Sequence, residues 1–543
     1  MQAHPKKEFP LKNFFKFHYP LLCLILYSSL MTLPGLVDSV LQVDEGADSF
    51  ISTTILKYAV PKHSDEINST MLFADVYQGL FVYRTWFPYY LQAGFMEFLG
   101  PSTLSARLPF ALCGILSIVA LYFFALRVTG SKAVAFFAGF LLASSVPALL
   151  FFRTARYVGL PILLTPFLLY LYLRLYEKKP WNPFAFTVVC LVYFQTMYVE
   201  FAGLLIGILI HLYLNRKDIL AENMNRVYFS AFVVAALTIP WQIAIIPVFS
   251  KIAEFYQNAS ILVQSNSMSP FTRLAGYLFQ TNNNLFPFIL IPLFWLHPLR
   301  AHRKILQLPL LCLAGIYLTA TVHSIPMQQY VAGGIPLLCF IMGIILAKGL
   351  NRKPVLQTLM AVTLILSNLF HIGPFWIFKP VVENARGLFT GPRLESAHDT
   401  FMREISLQSH LYRYGYEIAH RYQGPLDAIV QFFETHGAPG DTCYIDNEAE
   451  ALTFYTGMKM IDDDALNPSS PPKWIVLRGA RWLPENEMQE KDPALQQIIS
   501  SHPYETIILS ASKMRNNNSY DIQIRKHKSP ENSDRIRIYK RID

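Results

Sequence analysis

Two acidic residues, Asp44 and Glu45, directly follow the first long apolar run, Tyr19 to Leu41. Carboxylates at the mouth of a membrane bundle are costly to desolvate and mark a functional site by default. Two readings stand for them: a group that takes up a proton or holds a cation, or an interfacial cap where a helix ends. A second pair is cationic. Arg153 and Arg156 lie three apart in Phe-Arg-Thr-Ala-Arg-Tyr. Their guanidinium groups suit phosphate oxygens; the plainer alternative is snorkelling to ordinary lipid headgroups. Arg84, beside Trp86, is either a phosphate ligand or an interfacial anchor. Glu200, His323, Gln329 and Tyr330 are further cavity candidates. Their alternatives are a solvated turn, a hydrogen-bonded structural histidine and a belt aromatic. Arg107 reads as structural, a partner that locks a loop through a carboxylate.

These groups must be positioned by a membrane bundle. The chain has 543 residues, 53% hydrophobic and only 15% charged, against about 25% charged in soluble proteins. Apolar runs fall at 19–42, 106–126, 133–152, 157–176, 183–198, 200–214, 227–249, 285–299, 305–322, 331–348 and 355–377, about eleven spans. The net charge of +9 sits largely in short clusters between these runs, where it sets membrane orientation rather than nucleic-acid binding. The basic clusters begin at Arg127, Arg174, Arg216, Arg300 and Lys348, and the intervening loops carry fewer cations. That alternation predicts an odd number of spans with a cytoplasmic N-terminus. Arg153 and Arg156 then lie on the outer side, against the positive-inside bias. Lys6, Lys7, Lys12 and Lys16 precede the first run without a clean cleavage motif, so it reads as an uncleaved anchor.

The same count requires Trp86 to Leu99 to lie in the outer interface rather than cross. Ile51, Ile55 and Tyr58 would line one face of another surface helix, so residues 44–100 hold juxtamembrane helices. From about residue 379 the chain becomes polar. Helices are expected at 426–436, 448–455 and 494–501, and strands at 442–445, 474–477 and 505–509. A closing hairpin is expected from the alternations Ile522/Ile524 and Ile536/Ile538. Residues 1–378 therefore form a membrane domain, and 379–543 a small α/β domain outside the cytoplasm. Five of the six cysteines lie in apolar runs and Cys443 in the tail, which gives no disulfide or zinc spacing.

The stretch Gln42-Val43-Asp44-Glu45-Gly46 after a first span resembles the Asp-Glu signature of the GT-C glycosyltransferases. More narrowly, it is similar to the dolichyl-phosphate-mannose protein mannosyltransferase and aminoarabinose transferase group. Further matches come in order: Tyr83 to Tyr90, Gly100 with Ala106-Arg107-Leu108-Pro109, Phe152 to Tyr157, and His323 through Gln329-Tyr330 to Pro336. The resemblance covers the first 200 residues best. It implies transfer of a sugar from a polyprenyl-phosphate donor to a lipid, glycan or protein acceptor on the outer face of the membrane.

The chemistry of the residues agrees. An acceptor hydroxyl must lose its proton as it attacks the anomeric carbon, and a carboxylate can take it. Asp44 is the expected base, with Glu45 orienting the acceptor; together they are the candidate ligands of a divalent metal. Arg153, Arg156 and Arg84 are the candidates for the departing lipid phosphate. No Gly-rich nucleotide loop is present, which favours a lipid-linked donor. The expected partners are the donor, the acceptor and membrane lipids, with no nucleic acid. The expected location is a bacterial inner membrane, with the site and tail on the periplasmic or extracellular side. A secondary transporter would show inverted repeats and midplane charges. A non-catalytic lipid-binding assembly protein on the same scaffold is the other rival.

Overall fold

The computed structural model describes residues 11–41, 44–70, 77, 79–258, 269–295, 303–323, 326–350, 353–376, 407–420, 424–445, 448–461, 466–477, 493–512 and 533–542. The first helix, α1 (Leu11–Thr32), is shorter than its apolar run. Pro34 lies just beyond it and Gly35 turns left-handed at φ 65°, a pairing that stops a helix. The acidic pair therefore does not cap the first span. It opens a new helix, α2 (Asp44–Tyr58), with both carboxylates in the first turn, where the helix dipole favours negative charge. Next comes α3 (Phe87–Leu99), with proline in its first turn. Ile51 and Ile55 of α2 pack on Phe81 and on Tyr89 and Ala93 of α3. Burying Ile51 or Phe81 there contributes about 1.5–3 kcal/mol each.

The bundle continues with α4 (Thr103–Thr129), capped by Ser102 and ended by left-handed Gly130. Then follow α5 (Lys132–Ser144), α6 (Val146–Phe152), α7 (Gly159–Leu173), α8 (Phe184–Leu214), α9 (Ala221–Asn258) and α10 (Pro270–Asn284). The last membrane helices are α11 (Arg303–Ala320), α12 (Ile335–Ile344), α13 (Pro354–Leu366) and α14 (Leu369–Trp376). Among the described residues, five helices are long and apolar enough to cross a membrane, or six if α5 and α6, bent by 65°, count as one. The eleven expected runs thus map onto fewer full-length spans, together with shorter apolar helices such as Lys304–Ala320 and Pro354–Leu366.

The runs expected at 183–198 and 200–214 are the two limbs of α8, broken at Met197 (φ −157°, ψ 86°). Eight residues of straight helix rise about 12 Å, yet the rings of Tyr193 and Phe201 are 5.8 Å apart. The two limbs therefore bend sharply toward each other at the break. The second limb packs tightly on α11, where a Cβ on Gly207 would sit 2.5 Å from the Cα of Cys312. Small residues permit this approach in a lipid-exposed bundle.

The domain boundary expected at 378/379 lies outside the described residues. The tail contains helices α15 (His410–Ala419), α16 (Pro425–His436), α17 (Ala449–Thr456) and α18 (Pro493–Ser501). Its strands are β1 (Thr442–Ile445), β2 (Lys459–Ile461), β3 (Trp474–Leu477), β4 (Tyr504–Ser512) and β5 (Ser533–Arg541), in sheet order β2-β1-β3-β5-β4. β1 runs parallel to β2 and β3, while β5 is antiparallel to β3 and β4. Ile536 and Ile538 do lie in a strand, but β5 pairs with β4 through Ile507↔Ile538 and Leu509↔Ile536. The partner expected at 522–524 lies outside the described residues.

The tail grips the start of the membrane domain. Asp427 accepts from the backbone of Val40 at 2.8 Å, and Tyr455 Oη accepts from Leu41 at 2.8 Å. The Asn68 carboxamide donates to Met458 O (3.0 Å) and accepts from Met460 N (2.7 Å), closing the open edge of β2. α17 lies against α2, where a Cβ on Gly46 would be 2.5 Å from the Cβ of Ala451.

Candidate active site

The site is assembled on the first turns of α2. Asp44 and Asp48 are four residues apart, which puts them on one face of the helix; Glu45 points elsewhere. The guanidinium of Arg156 lies 2.8 Å from Asp44 Oδ2, and its Nε is 3.7 Å from Asp48 Oδ2. Arg84 Nη1 reaches Asp48 Oδ1 at 2.7 Å, and its Nη2 is 3.7 Å from Asp44. Two carboxylates and two guanidiniums thus alternate in a ring. The ring is held from several elements. Tyr89 of α3 donates to Asp48 Oδ1 at 3.0 Å. Arg156 Nη1 donates to Gln329 Oε1 at 3.1 Å. The ring of Tyr157 lies under both cations, at 5.6 Å from Arg84 and 5.4 Å from Arg156.

Exposure separates the roles. The side chain of Asp44 is 26% exposed and that of Arg84 20%, whereas Asp48 and Arg156 are each at 4%. Asp44 is therefore the carboxylate a substrate can reach. Burial pushes the Asp48 carboxyl above the ordinary aspartate value, outweighing the pull of Arg84 and Arg156, with Asp44 adding to the rise. Burial and the neighbouring Asp48 also push the Tyr89 phenol well above its usual value, which keeps it a donor.

Glu45 and Arg153 stand apart from this ring. Glu45 makes a buried two-pronged pair with Arg107, at 2.9 Å to Nε and 2.8 Å to Nη2, and accepts from Ala155 N at 2.7 Å. Arg107 also donates to the carbonyls of Leu36, Ser39 and Val40. It is the loop lock that its position suggested. Both Glu45 oxygens being engaged, Asp44 and Glu45 do not form a two-carboxylate ligand set for a divalent metal. Among the described residues no group of three or more His, Cys, Asp or Glu side chains comes together as a metal site. Arg153 donates to Thr32 O and Pro34 O and lies over the ring of Tyr414 in α15. It joins the end of α1 to the tail, a role that its spacing from Arg156 did not reveal.

The remaining candidates lie behind the ring. Tyr330 stacks on His323 at 3.7 Å, nearly parallel, and burial pushes the imidazole down to about 4. Glu200 is fully buried and accepts from Gly333 N at 2.6 Å. It thereby fixes the short helix that carries Gln329. Two apolar cavities flank the region. One of about 630 Å³ is lined by Trp86, Tyr90, Gln195 and Trp241. Another, of about 670 Å³, lies between α8 and α9 and reaches Tyr198. Sequence reading missed Asp48 and Tyr89. The signal for Asp48 was its i+4 spacing from Asp44 on a helix.

Residues 84–244 match the family model described as dolichyl-phosphate-mannose-protein mannosyltransferase. The chain also superposes on the crystal structure of ArnT from Cupriavidus metallidurans in the apo state, with a TM-score of 0.53 at 14% identity, over 84% of this chain and 87% of that one. The structure of the same protein bound to undecaprenyl phosphate gives 0.52 at 14% identity, over 85% and 93%. The chain has the GT-C fold. The matched segment of this GT-C chain holds Arg84, Arg107, Arg153, Arg156 and Glu200, and the acidic helix lies just ahead of it. No curated protein matches the sequence significantly.

Proposed function

We propose that this GT-C protein is a membrane glycosyltransferase that moves a sugar from a polyprenyl-phosphate donor to a hydroxyl of a lipid, glycan or protein acceptor on the outer face of the membrane. The observation that carries this reading is a partly exposed carboxylate, Asp44, within ion-pair reach of Arg156 and Arg84. Asp44 takes the acceptor proton as the hydroxyl oxygen bonds to the anomeric carbon. The bond from that carbon to the phosphate oxygen breaks on the opposite face, and its electron pair leaves with the phosphate. The transition state has the oxocarbenium character of other glycosyl transfers, and the anomeric centre inverts. Arg84, the more exposed cation, meets the growing phosphate charge, with Arg156 behind it. Glu45 acts through Arg107 to hold the loop ahead of α2, a positioning role. The cavity between α8 and α9 takes the prenyl chain. Undecaprenyl phosphate bound to the Cupriavidus protein supports this donor class.

The test is Asp44→Asn in membranes supplied with polyprenyl-phosphate sugar. Transfer should fall by at least about a hundredfold, in line with loss of a general base, while expression and lipid binding persist. A variant that transfers sugar normally removes Asp44 from the mechanism.

A further inference from the structure

The arginines that would receive the donor phosphate already face carboxylates, and Asp48 is the one with no evident part in the reaction. It is 3% exposed, so neither acceptor nor bulk water reaches it. Its two oxygens nonetheless face Arg84 at 2.7 Å, Arg156 at 3.7 Å and the Tyr89 hydroxyl at 3.0 Å. That is the set of cations and donors a phosphate would seek. With Asp44 also on Arg156, the cluster holds two negative and two positive groups and is neutral before any ligand arrives.

We propose that Asp48 is a built-in counter-anion: it stands in for the donor phosphate on Arg84 and Arg156, and arrival of that phosphate shifts the guanidiniums from the carboxylates to the ligand, releasing Asp44 to act as base. This rests on the donor reading above. Two consequences follow from the charges alone. Before binding, Arg156 holds Asp44 in an ion pair, which lowers its appetite for a proton. After binding, the phosphate shares the guanidinium charge, and the aspartate regains basicity beside the acceptor. Donor binding must then precede productive acceptor binding. The cluster also keeps two cations paired in a low-dielectric site when no donor is present, where an uncompensated charge would be expensive.

Asp48 is thus a positioning residue whose charge opposes the ligand. The experiment measures binding of undecaprenyl phosphate to the full chain in nanodiscs, for the native protein, Asp48→Asn and Asp48→Asn with Arg84→Gln. Asparagine keeps an oxygen for Arg84 and Tyr89 but removes the competing charge, so binding should tighten several-fold while turnover falls. The tightening should vanish when Arg84 is also replaced. A residue that merely held the arginines in place would give the opposite sign, weaker binding on replacement. Unchanged or weaker binding in Asp48→Asn overturns the inference alone. No binding by the native chain sinks the donor reading and this inference with it. If Asp48→Asn does not fold, Asp48→Ser removes the same charge and keeps a hydroxyl near Tyr89. It should also tighten binding, and unchanged or weaker binding there overturns the inference equally.

Discussion

The chemistry of single residues divides cleanly between the two faces of α2. Asp44 faces the opening and Asp48 the arginines behind it, while Glu45 is turned into the protein against Arg107. The Glu45–Arg107 pair is at 1% and 4% exposure. Removing one partner leaves a buried charge alone, which costs about 3–5 kcal/mol. Glu45→Ala should therefore lower thermal stability in detergent far more than Asp44→Asn does, and a scanning unfolding measurement checks this. The Asp48 carboxyl gives a pH signature. It faces Asp44 on its own helix, Arg84 from the loop before α3, Tyr89 from α3 and Arg156 from the loop after α6. Its folded value lies above the ordinary 3.8, so the folded chain keeps the proton longer than the unfolded one. Stability contributed by this group is present at low pH and is lost as pH rises through the raised value. The ionised ring that the proposed transfer uses forms over that same interval. The acid limb of the pH–rate profile should lie above the ordinary aspartate range, and Asp48→Asn should move that limb to lower pH.

At the level of elements, the acidic helix is held between the membrane bundle and the tail. Arg107 of α4 holds the chain ahead of α2 from one side, and α17 presses on it at Gly46 from the other. Tyr455 of α17 ties the two together, since its hydroxyl meets both Leu41 N and Thr103 Oγ1. Gly46→Ala would drive a methyl group into the backbone of Ala451, and overpacking of this kind costs about 1–3 kcal/mol. It should lower kcat through displacement of Asp44 while leaving the secondary structure intact, as circular dichroism and transfer assays on the same preparation would show. Most membrane helices were legible as apolar runs, and the short helix at Phe87–Leu99 and the strands at 442–445 and 474–477 were legible too. The break at Met197 was legible as well, within a few residues, as the boundary between the runs 183–198 and 200–214. β2 was hidden, because three residues on a sheet edge carry no periodicity of their own.

The whole molecule is a GT-C scaffold whose tail braces the helix that carries the candidate site. Asn68, Asp427, Tyr455 and Arg153 all join the two parts. The proposed orientation puts α3 and the tail outside and the loop at Lys178 in the cytoplasm. Cysteine labelling tests it. Cys23, the exposed native cysteine, is first replaced by serine. Glu97→Cys on the exposed face of α3 should then react with an impermeant maleimide in intact cells, and Lys178→Cys only after permeabilisation. The reverse pattern would put the acidic helix on the wrong side for a lipid-linked donor.

Hydropathy, charge alternation and short ordered motifs reach along the chain, so by itself the sequence established a membrane bundle and a polar α/β tail, and pointed to the stretch around Asp44 as the candidate site. Those properties depend on neighbouring residues and survive without knowledge of the fold. The choice among charged partners does not. Arg153 and Arg156 differ by three positions, yet one turns toward the end of α1 and the other toward Asp44. Asp44 and Glu45 are adjacent, yet they point to different arginines. Which cation meets which carboxylate is set by the direction of each side chain from its helix or turn and by elements tens to hundreds of residues away, and only the tertiary structure decides it.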